Sequence, residues 1–519
     1  MAAVSSDVLE QAIALELRGV EKRFGPVHAN RGVSMMISAG SIVGIIGENG
    51  AGKSTIMNIV YGLYQPDAGE ILVDGRVVRH ESPRDAIANR IGMVHQHFML
   101  VESFTVLENI ILGAEQGLLL KPSLTAARAE LLRLEQEYGL KVDPDAIVGD
   151  LSVGNQQRVE ILKALYRGAR ILILDEPTAV LTPQETDQLF RILAALKEKG
   201  ATILLITHKL REVMAVTDLV HVMRAGQVVA TRKTAQTSRE ELAELMVGRK
   251  VRLKLDKTAA SPGAAALTAE HIALTGAGGV VLLKDINLTL RAGEIVGIAG
   301  VSGNGQTELL EILSGIRAPS SGSLAISGET ITAERPTDAG RMRALGLSHV
   351  PEDRHRYAMC APFSAAETSV LGRHRDAPFA RGMALDYPAM REHCAALMER
   401  YDVRPRRPEQ RAASFSGGNQ QKLIIARETA IPPTVLLVGQ PTRGVDIGAI
   451  EFIHRQLVTL RDAGCAILVV SVELEEVMAL SDRIVVMCAG RIVGEVAAAD
   501  ADEKMLGLMM ANIGREEAA

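Results

Sequence analysis

The stretch Gly47-Glu48-Asn49-Gly50-Ala51-Gly52-Lys53-Ser54 decides the fold. It follows the apolar residues 42–46 and leads into a second apolar segment, which predicts a strand, a glycine loop and a helix in that order. Glycines let a backbone approach a phosphate closely, and the N–H groups at a helix start attract an anion. We therefore expect a phosphate-binding loop. The residues expected to contact phosphate through this loop are Gly47, Asn49, Gly50, Gly52 and Thr55.

Two side chains of the loop carry specific expectations. Lys53 should reach the β- and γ-phosphates of a nucleotide, and the hydroxyl of Ser54 should bind Mg²⁺. The alternative is a glycine-rich turn that matches the pattern by chance. We disfavour it because the octet, the segments around it and an acidic pair further along the chain all agree.

The composition describes a globular protein of more than one domain. The chain has 519 residues, of which 47% are hydrophobic and 23% charged. A net charge of −5, no Trp and only 3% aromatic residues argue against nucleic acid as a partner. The four cysteines are scattered, so we expect reduced thiols of a cytosolic protein and disfavour metal binding by these cysteines. The sequence has no apolar run of about 18 residues, the length that a membrane span needs.

An acidic pair follows a second apolar run. Residues 171–174 are apolar and lead directly into Asp175 and Glu176, which predicts a buried parallel strand with carboxylates at its C-terminal end. Such a strand end is often only structural. With a phosphate loop upstream, we expect Asp175 to bind magnesium and Glu176 to orient the attacking water.

Three further residues are candidates for the same site. Residues 91–95 predict a strand that ends on Gln96, and residues 201–207 predict a buried strand that ends on His208. A histidine at a strand end usually packs or is solvated, but its place in this series favours catalysis. Phe24, in a segment of short predicted strands over residues 14–40, is equally compatible with stacking on a base and with packing in the core.

The chain repeats itself. Residues 292–300 repeat the pattern of residues 39–47, and residues 416–421 repeat that of residues 152–157. Residues 152–157 are predicted to begin a helix that runs to Arg167. A second helix is predicted over residues 123–138. Self-similarity of this kind predicts two homologous α/β domains, which we place at 12–250 and 267–510, joined by a small-residue linker at 251–266.

The chain resembles the ATP-binding-cassette (ABC) ATPases twice, over nearly its whole length. The resemblance rests on the order of the phosphate loop, Gln96, a serine–glycine signature (residues 152–157, repeated at 416–421), the acidic pair and His208. The resemblance implies two P-loop ATPase domains in tandem, each with a mixed or parallel core sheet, an antiparallel β subdomain and a helical subdomain. It implies ATP and Mg²⁺ as cofactors. Catalysis would involve Glu176, His208, Gln96 and Lys53, and the metal would bind Ser54, Gln96 and Asp175.

In that family two cassettes pair head to tail, so each ATP lies between one phosphate loop and the signature of the other cassette. The resemblance therefore implies that the two cassettes of this chain pair with each other. The first site would combine Lys53 and its neighbours with the second signature. The remaining residues implied to bind the nucleotide are Phe24, Ser416, Gly417, Gly418 and Gln420.

The second site departs from the family pattern. Its lysine is replaced by Gln306, its acidic pair by Gly439 and Gln440, and its histidine by Val472. Two further residues depart from the family pattern: Ala277 stands at the place of Phe24, and Val153 stands in the first signature where a glycine is usual. We expect this site to bind nucleotide at most, without useful hydrolysis. A chance change at Gln440 in an active site would leave the other substitutions unexplained.

Within the family the chain resembles the double-cassette subunits that energise sugar and nucleoside import in bacteria. Residues 351–354 and 441–446 resemble that subgroup, and residues 94–100 and 439–443 are closer to the nucleoside importers. This implies a peripheral ATPase on the cytoplasmic face of the membrane. Its partners would be integral membrane permease subunits and, indirectly, a periplasmic or lipoprotein solute-binding protein, with no nucleic acid. A simple sugar is the alternative cargo.

Two other functions fit less well. A soluble double-cassette factor acting on ribosomes would be expected to have a long charged linker and two intact sites. A DNA-repair cassette protein would be expected to carry zinc-type cysteine clusters, which the sequence lacks. The apolar segment after Gln96, residues 97–101, is predicted to line a groove that receives a permease loop, with a core position as the alternative.

Overall fold

A computed structural model describes residues 12–25, 27–95, 98–114, 120–178, 181, 183–250, 255, 257–301, 303–382 and 384–510. The chain divides into two compact units, Met1–Val251 and Arg252–Ala519. Within the described ranges, no helix is both long and apolar enough to cross a lipid bilayer.

The first unit is an α/β structure. Its strands are β1 (Ile13–Phe24), β2 (Val27–Ser38), β3 (Ile42–Ile46), β4 (Ala68–Val73), β5 (Arg76–Val78), β6 (Ile91–Val94), β7 (Ile171–Asp175), β8 (Thr202–Ile206), β9 (Leu219–Arg224) and β10 (Gln227–Lys233). Its helices are α1 (Lys53–Val60), α2 (Pro83–Ala88), α3 (Val106–Ile111), α4 (Leu120–Tyr138), α5 (Val153–Tyr166), α6 (Pro183–Glu198), α7 (Leu210–Val216) and α8 (Arg239–Val247).

The second unit repeats this order with additions. Its strands are β11 (Ala265–Thr275), β12 (Val281–Arg291), β13 (Ile295–Ala299), β14 (Ser321–Ile326), β15 (Glu329–Thr332), β16 (Leu347–Val350), β17 (Ala380–Arg381), β18 (Ala384–Leu385), β19 (Val435–Gly439), β20 (Ala466–Val470), β21 (Arg483–Cys488) and β22 (Arg491–Ala497). Its helices are α9 (Gln306–Leu313), α10 (Ala339–Ala344), α11 (Ala365–Ser369), α12 (Tyr387–Arg400), α13 (Gly417–Glu428), α14 (Ile447–Asp462), α15 (Leu474–Leu480) and α16 (Glu503–Met510).

A six-stranded sheet positions the candidate site in each unit. In the first unit its order is β10-β9-β3-β8-β7-β6, and all neighbours are parallel except the edge pair of β10 and β9. In the second unit the order is β16-β19-β20-β13-β21-β22, again with one antiparallel edge strand. The carboxyl ends of parallel strands share one edge, so the phosphate loop, the acidic pair and the strand-end histidine are brought together there.

The apolar runs are continuous because each central strand is covered on both faces. In β3, Val43 and Ile45 belong to the core on the side of the antiparallel sheet, whereas Ile42 belongs to the core on the side of the helices. All five residues of β3, β7 and β8 are buried. This alternation fixes the strand register, because a shift by one residue would exchange the two faces.

A second sheet, β2-β1-β4-β5, is antiparallel, and β12-β11-β14-β15 repeats it. The prediction of short strands over residues 14–40 is wrong, since β1 and β2 each span 12 residues. Their pairing continues through register shifts, one of them between Leu17 and Val20. Gly19 and Gly32 have φ of 59° and 61° near these irregularities. Glycine tolerates that left-handed backbone, so the strands bend without ending.

The helices lie close to their predicted positions. The helix predicted over residues 123–138 begins three residues earlier, at Leu120, and the helix predicted to reach Arg167 ends at Tyr166. The region proposed as a linker, 251–266, is partly attached to the second unit. There Lys257 Nζ donates to the carbonyl oxygens of Leu480 and Ser481 at 3.1 and 2.6 Å, and β11 already begins at Ala265.

Candidate active site

The phosphate loop connects β3 to α1 and depends on its glycines. Gly52, before the helix, has φ of 95°, and a Cβ atom there would lie 2.4 Å from the carbonyl oxygen of Ala29. A Cβ atom on Gly47 would lie 2.3 Å from the carbonyl oxygen of Met223. Larger residues would therefore displace the loop. The other predicted contact residues are Asn49 and Gly50, both exposed in the loop, and Thr55, in the first turn of α1.

Lys53 begins α1 and is buried, with 5% of its surface exposed. Its Nζ donates to the carbonyl oxygens of Gly47 and Glu48 at 2.7 and 3.0 Å. Burial lowers the pKa of Lys53, against the opposing charges of Glu176 and Asp175. The loop backbone thus holds the ammonium group over the phosphate loop, where it can neutralise a phosphate.

Ser54 and Asp175 provide hard oxygen ligands at the same place. Ser54 Oγ donates to Asp175 Oδ1 over 3.4 Å, although Ser54 lies in the first turn of α1 and Asp175 ends β7. Mg²⁺ commonly binds one or two protein oxygens together with substrate phosphates, and this pair fits such a site. Burial raises the pKa of Asp175, with the hydrogen bond from Ser54 acting in the opposite direction.

Glu176 and His208 form a pair at the ends of β7 and β8. His208 Nδ1 lies 2.9 Å from Glu176 Oε1, and an ionised carboxylate can only accept in this contact. Burial raises the pKa of Glu176, but the hydrogen bond and charge of His208, helped by Lys53 and Lys209, leave its pKa below the ordinary value. The carboxylate is therefore kept ionised, as a group that orients water must be.

A buried carboxylate behind this pair was not predicted from the sequence. Glu212, in α7, accepts hydrogen bonds from Thr178 Oγ1 and, at 2.9 Å, from Thr207 Oγ1. It thereby connects the loop after Glu176 to the residue before His208. The signal in the sequence was the glutamate repeated at the equivalent place of α15, Glu476, which is also buried.

Phe24 ends β1 and lies outside the core, with 42% of its surface exposed. Its ring packs edge-on against Tyr64 at 5.2 Å between centroids, and Lys22 Nζ lies 5.6 Å from its centre. The core-packing alternative is therefore wrong. Ala277, the residue predicted at the place of Phe24 in the second unit, begins a short turn, Ala277–Gly279, between β11 and β12.

The signature of the second unit begins α13. Ser416 is exposed before the helix, and its Oγ accepts from Asn419 Nδ2 at 2.8 Å. Cβ atoms on Gly417 and Gly418 would lie 2.5 Å from the carbonyl oxygen of Gly444 and 2.8 Å from Asp446 Oδ2. Close packing on the neighbouring loop thus requires both glycines.

The structure does not support one predicted site residue, Gln420, and does not describe another, Gln96. The prediction that Gln420 binds the nucleotide needs correction, because the residue is buried and its Nε2 donates to the carbonyl oxygens of Ala413 and Phe415 at 3.1 and 3.0 Å. Its amide stabilises the signature loop. Gln96 and the neighbouring His97 lie outside the described residues, and the strand predicted to end on Gln96 ends at Val94.

The second unit keeps the backbone of the site and changes its chemistry. Gln440 has φ of 49°, against 48° for Glu176, so the unusual left-handed backbone is retained. Gln306, at the lysine position, donates from Nε2 to the carbonyl oxygen of Val301 at 3.1 Å. Val472 takes the place of the histidine, and its N–H donates to Gln440 Oε1 at 3.3 Å. A neutral amide therefore stands where the first unit has an ionised acid.

Comparisons with known proteins agree with this geometry. The family model described as ABC transporter matches residues 30–179 and 283–443, one segment in each unit. The chain is 46% identical to the nucleoside import ATP-binding protein NupA of Lactococcus lactis subsp. cremoris, over 96% of this chain and 97% of the relative. It is 45% identical to the guanosine import ATP-binding protein NupO of Bacillus subtilis, over 97% and 98%.

A sugar-import protein is almost as similar. The glucose import ATP-binding protein TsgD13 of Haloferax volcanii is 43% identical over 96% of each chain. A solved structure of the archaeal ribosome recycling factor aABCE1, in complex with a ribosomal stalk protein, aligns with a TM-score of 0.61. It covers 95% of this chain and 92% of the solved one at 18% identity, and so supports the fold alone. The predicted α/β fold class with tandem cassettes is confirmed, and the chain belongs to the ABC transporter family as an ATPase with two cassettes.

Proposed function

We propose that the chain is the peripheral ATPase subunit of a nucleoside importer and acts on the cytoplasmic face of the membrane. It would transfer the energy of ATP hydrolysis to integral membrane permease subunits, which receive cargo from a solute-binding protein. The observation that carries the proposal is the 46% identity to a nucleoside import ATP-binding protein over 96% of the chain. Similarity over nearly the full length of both proteins supports the same role for the whole chain.

Hydrolysis is assigned to the first cassette. Lys53 and the loop amides would bind the phosphates, and Ser54 and Asp175 would hold Mg²⁺, which supplies charge neutralisation when bound. Glu176 would orient the attacking water and accept its hydrogen bond, while His208 keeps that carboxylate in place. The 2.9 Å contact within this pair and the lowered pKa of Glu176 support these roles.

The second signature is assigned to the same reaction. By the family's head-to-tail pairing, Ser416, Gly417 and Gly418 would act on the ATP that Lys53 holds. The altered first signature, with Val153, would act on the nucleotide of the second cassette. The intact set of motifs would thus serve one hydrolytic site, and the substituted set would serve a site without useful hydrolysis.

A groove on the first unit is the proposed contact with the permease. A cavity of about 300 Å³ includes Tyr61, His95, Met99 and Leu112 in its lining. Met99 is 62% exposed, while α5 fixes its backbone: its N–H donates to Glu160 Oε1 and its carbonyl accepts from Lys163 Nζ, both at 2.8 Å. A rigid segment with an exposed apolar side chain suits the reception of a partner loop.

A sugar importer is the second candidate, favoured by the 43% identity to a glucose import protein. The two candidates are separated by deleting the gene and measuring the uptake of nucleosides and of sugars. Cells that lack the gene should lose uptake of radiolabelled nucleosides and regain it with the wild-type gene, but not with Lys53→Ala. Loss of ribose or glucose uptake with unchanged nucleoside uptake would overturn the proposed cargo.

A further inference from the structure

Arg354 of the second cassette lies where three segments of that unit meet. It is the fourth residue after β16 and begins the short helical turn Arg354–Ala358. Its Nη1 donates to the carbonyl oxygen of Arg443 at 2.9 Å. Its Nη2 would lie 2.9 Å from a Cβ atom on Gly417 and 3.5 Å from one on Gly444. One guanidinium group therefore packs against both the start of α13, where the signature lies, and the loop after β19.

The first cassette differs at both sides of this contact. Residues 416–421 match residues 152–157, so Val153 stands at the place of Gly417. Phe98, the fourth residue after β6, stands at the place of Arg354. A side chain at Gly417 would collide with the arginine and with the neighbouring loop. The arginine and the glycine thus occur together beside the intact signature, and both are absent beside the altered one.

The position of Arg354 costs free energy. Burial, followed by the charge of Arg443, lowers the pKa of Arg354, with the charge of Asp353 acting in the opposite direction. Its Nε is buried and has no hydrogen-bond partner among the residues that the structure describes. An apolar side chain, such as that of Phe98 in the first cassette, would avoid both costs. The presence of an arginine therefore indicates a role beyond filling space.

The segment that carries Arg354 is fixed on its other side to α9, the helix after the phosphate loop. Glu352 Oε2 accepts a 2.5 Å hydrogen bond from Thr307 Oγ1 in the first turn of this helix. Tyr357 Oη donates to Glu311 Oε1, one turn further on, at 3.3 Å. A guanidinium group on a segment held at both ends has little freedom to move. It can therefore fix the parts of the signature against which it packs.

We propose that Arg354 is a positioning residue for ATP hydrolysis, which holds the second signature in the arrangement in which Ser416 and Gly417 act on the ATP of the first cassette. The inference rests on the proposed pairing of that signature with the hydrolytic site. Arg354 acts through the backbone at Gly417 and through the loop that contains Arg443. Loss of its side chain leaves a space beside Gly417, so the signature is no longer held in one position.

The test is a double-mutant cycle on steady-state hydrolysis by the assembled transporter. Arg354→Ala should lower turnover by about ten- to a hundredfold, the factor for one lost contact of a charged group. Arg354→Lys keeps a donor for the carbonyl oxygen of Arg443 and should lose less. The double variant with Ser416→Ala should stay within about threefold of the more damaged single variant, because both changes disable the same signature, whereas independent effects would multiply.

Hydrogen exchange in the nucleotide-free chain provides a readout besides hydrolysis. Backbone amides in the first two turns of α13 should exchange faster in Arg354→Ala than in wild type. Arg356→Ala is the matched control, because it removes the same charge from an exposed side chain that lies over the ring of Tyr357. It should leave this exchange unchanged and keep turnover within about twofold. Arg354→Lys is taken through the same measurements, with unfolding midpoints in parallel, so that a folding defect of Arg354→Ala is recognised.

Three outcomes would overturn the role of Arg354 and leave the proposed function intact. They are losses that multiply in the double variant, unchanged exchange at the start of α13, and equal losses in Arg354→Ala and Arg356→Ala. Full turnover of Ser416→Ala would instead refute the proposed pairing of the second signature with the hydrolytic site, and the inference with it.

Discussion

His208 Nδ1 lies 2.9 Å from Glu176 Oε1, so the ends of β8 and β7 present a histidine and an ionised acid as one unit. At the equivalent positions the second cassette has Val472 and Gln440, and the contact between them is a backbone N–H to an amide oxygen. The same fold therefore supports a pair suited to orienting water in one cassette and a neutral pair in the other.

The first prediction concerns Glu176→Gln. The amide keeps the size of the side chain but cannot accept the hydrogen bond of the water as a carboxylate does. We expect turnover to fall by roughly 10²- to 10⁴-fold, the range for loss of a positioned acid–base group, with Mg-ATP binding retained within about threefold. Steady-state hydrolysis and equilibrium binding measure the two quantities. Gln440→Glu is the reciprocal control and should change turnover little; near-normal turnover of Glu176→Gln would refute the role of Glu176.

The second prediction concerns the stability of the chain at Asp175. Its folded-state pKa is raised by burial, so the carboxyl group favours folding when protonated at low pH and loses this contribution as the pH rises through the folded-state pKa. At neutral pH without nucleotide, Asp175→Asn should therefore raise the midpoint of thermal unfolding by roughly 1–4 °C, while it removes the stabilisation by Mg-ATP.

Thermal unfolding in EDTA across pH measures this effect. The difference between Asp175→Asn and wild type should shrink as the pH falls through the raised pKa of Asp175. Asp67→Asn is a control of opposite sign, because a hydrogen bond from Lys22 and one from the backbone of Arg23 lower the pKa of Asp67. That variant should be less stable at neutral pH. A lower unfolding midpoint for Asp175→Asn at pH 7 would contradict the account.

The third prediction compares the two signature serines. Ser152 Oγ caps its helix by accepting from the backbone N–H of Asn155 at 3.4 Å, whereas Ser416 Oγ accepts only from the side chain of Asn419. Replacement by alanine should therefore destabilise the chain by about 1 kcal/mol at Ser152 and by less at Ser416. Turnover should differ: Ser416→Ala should lose roughly tenfold or more, and Ser152→Ala less than about twofold. Hydrolysis assays of the assembled transporter measure this difference in turnover, and unfolding midpoints measured in parallel show any loss of stability. Equal losses would contradict the assignment of the second signature to the hydrolytic site.

The fourth prediction concerns the groove beside Met99. A cysteine at this exposed position, in a background without the native cysteines, should cross-link to cytoplasmic loops of the permease in at least one nucleotide state. Val229→Cys on β10 is the control, because Val229 is also partly exposed but is not among the residues lining the cavity. Mass spectrometry of the cross-linked product identifies the partner segment. Absence of Met99 cross-links in every nucleotide state would exclude this groove as the docking surface.

Much of the fold was predictable, because its signals are local. The apolar runs of β3, β7 and β8 are buried on both faces, and a glycine loop followed by Lys53 has one common structural context. The function of the acidic pair after β7 could then be inferred from the order of the motifs. These features need no knowledge of side-chain partners.

The residues that escaped prediction depend on side-chain partners that a sequence pattern does not reveal. The amide of Gln420 could bind a nucleotide or the preceding loop, and its hydrogen bonds to Ala413 and Phe415 show the second. Glu352 was recognised only as part of a subgroup motif, because insertions change the spacing between the repeats and hide its match to Gln96. Its contact with Thr307 appears only when β16 is placed in the sheet.

The central claim is that one cassette hydrolyses ATP, and the two phosphate-loop positions test it most directly. Steady-state hydrolysis by the assembled transporter is measured with Lys53→Ala and with Gln306→Ala, in which the altered side chains begin equivalent helices and are equally buried. Lys53→Ala removes a charged contact worth about 1.5–3 kcal/mol and should lower hydrolysis and transport by at least about ten- to a hundredfold. Gln306→Ala should retain more than about half of the turnover, whereas a loss equal to that of Lys53→Ala would contradict the account.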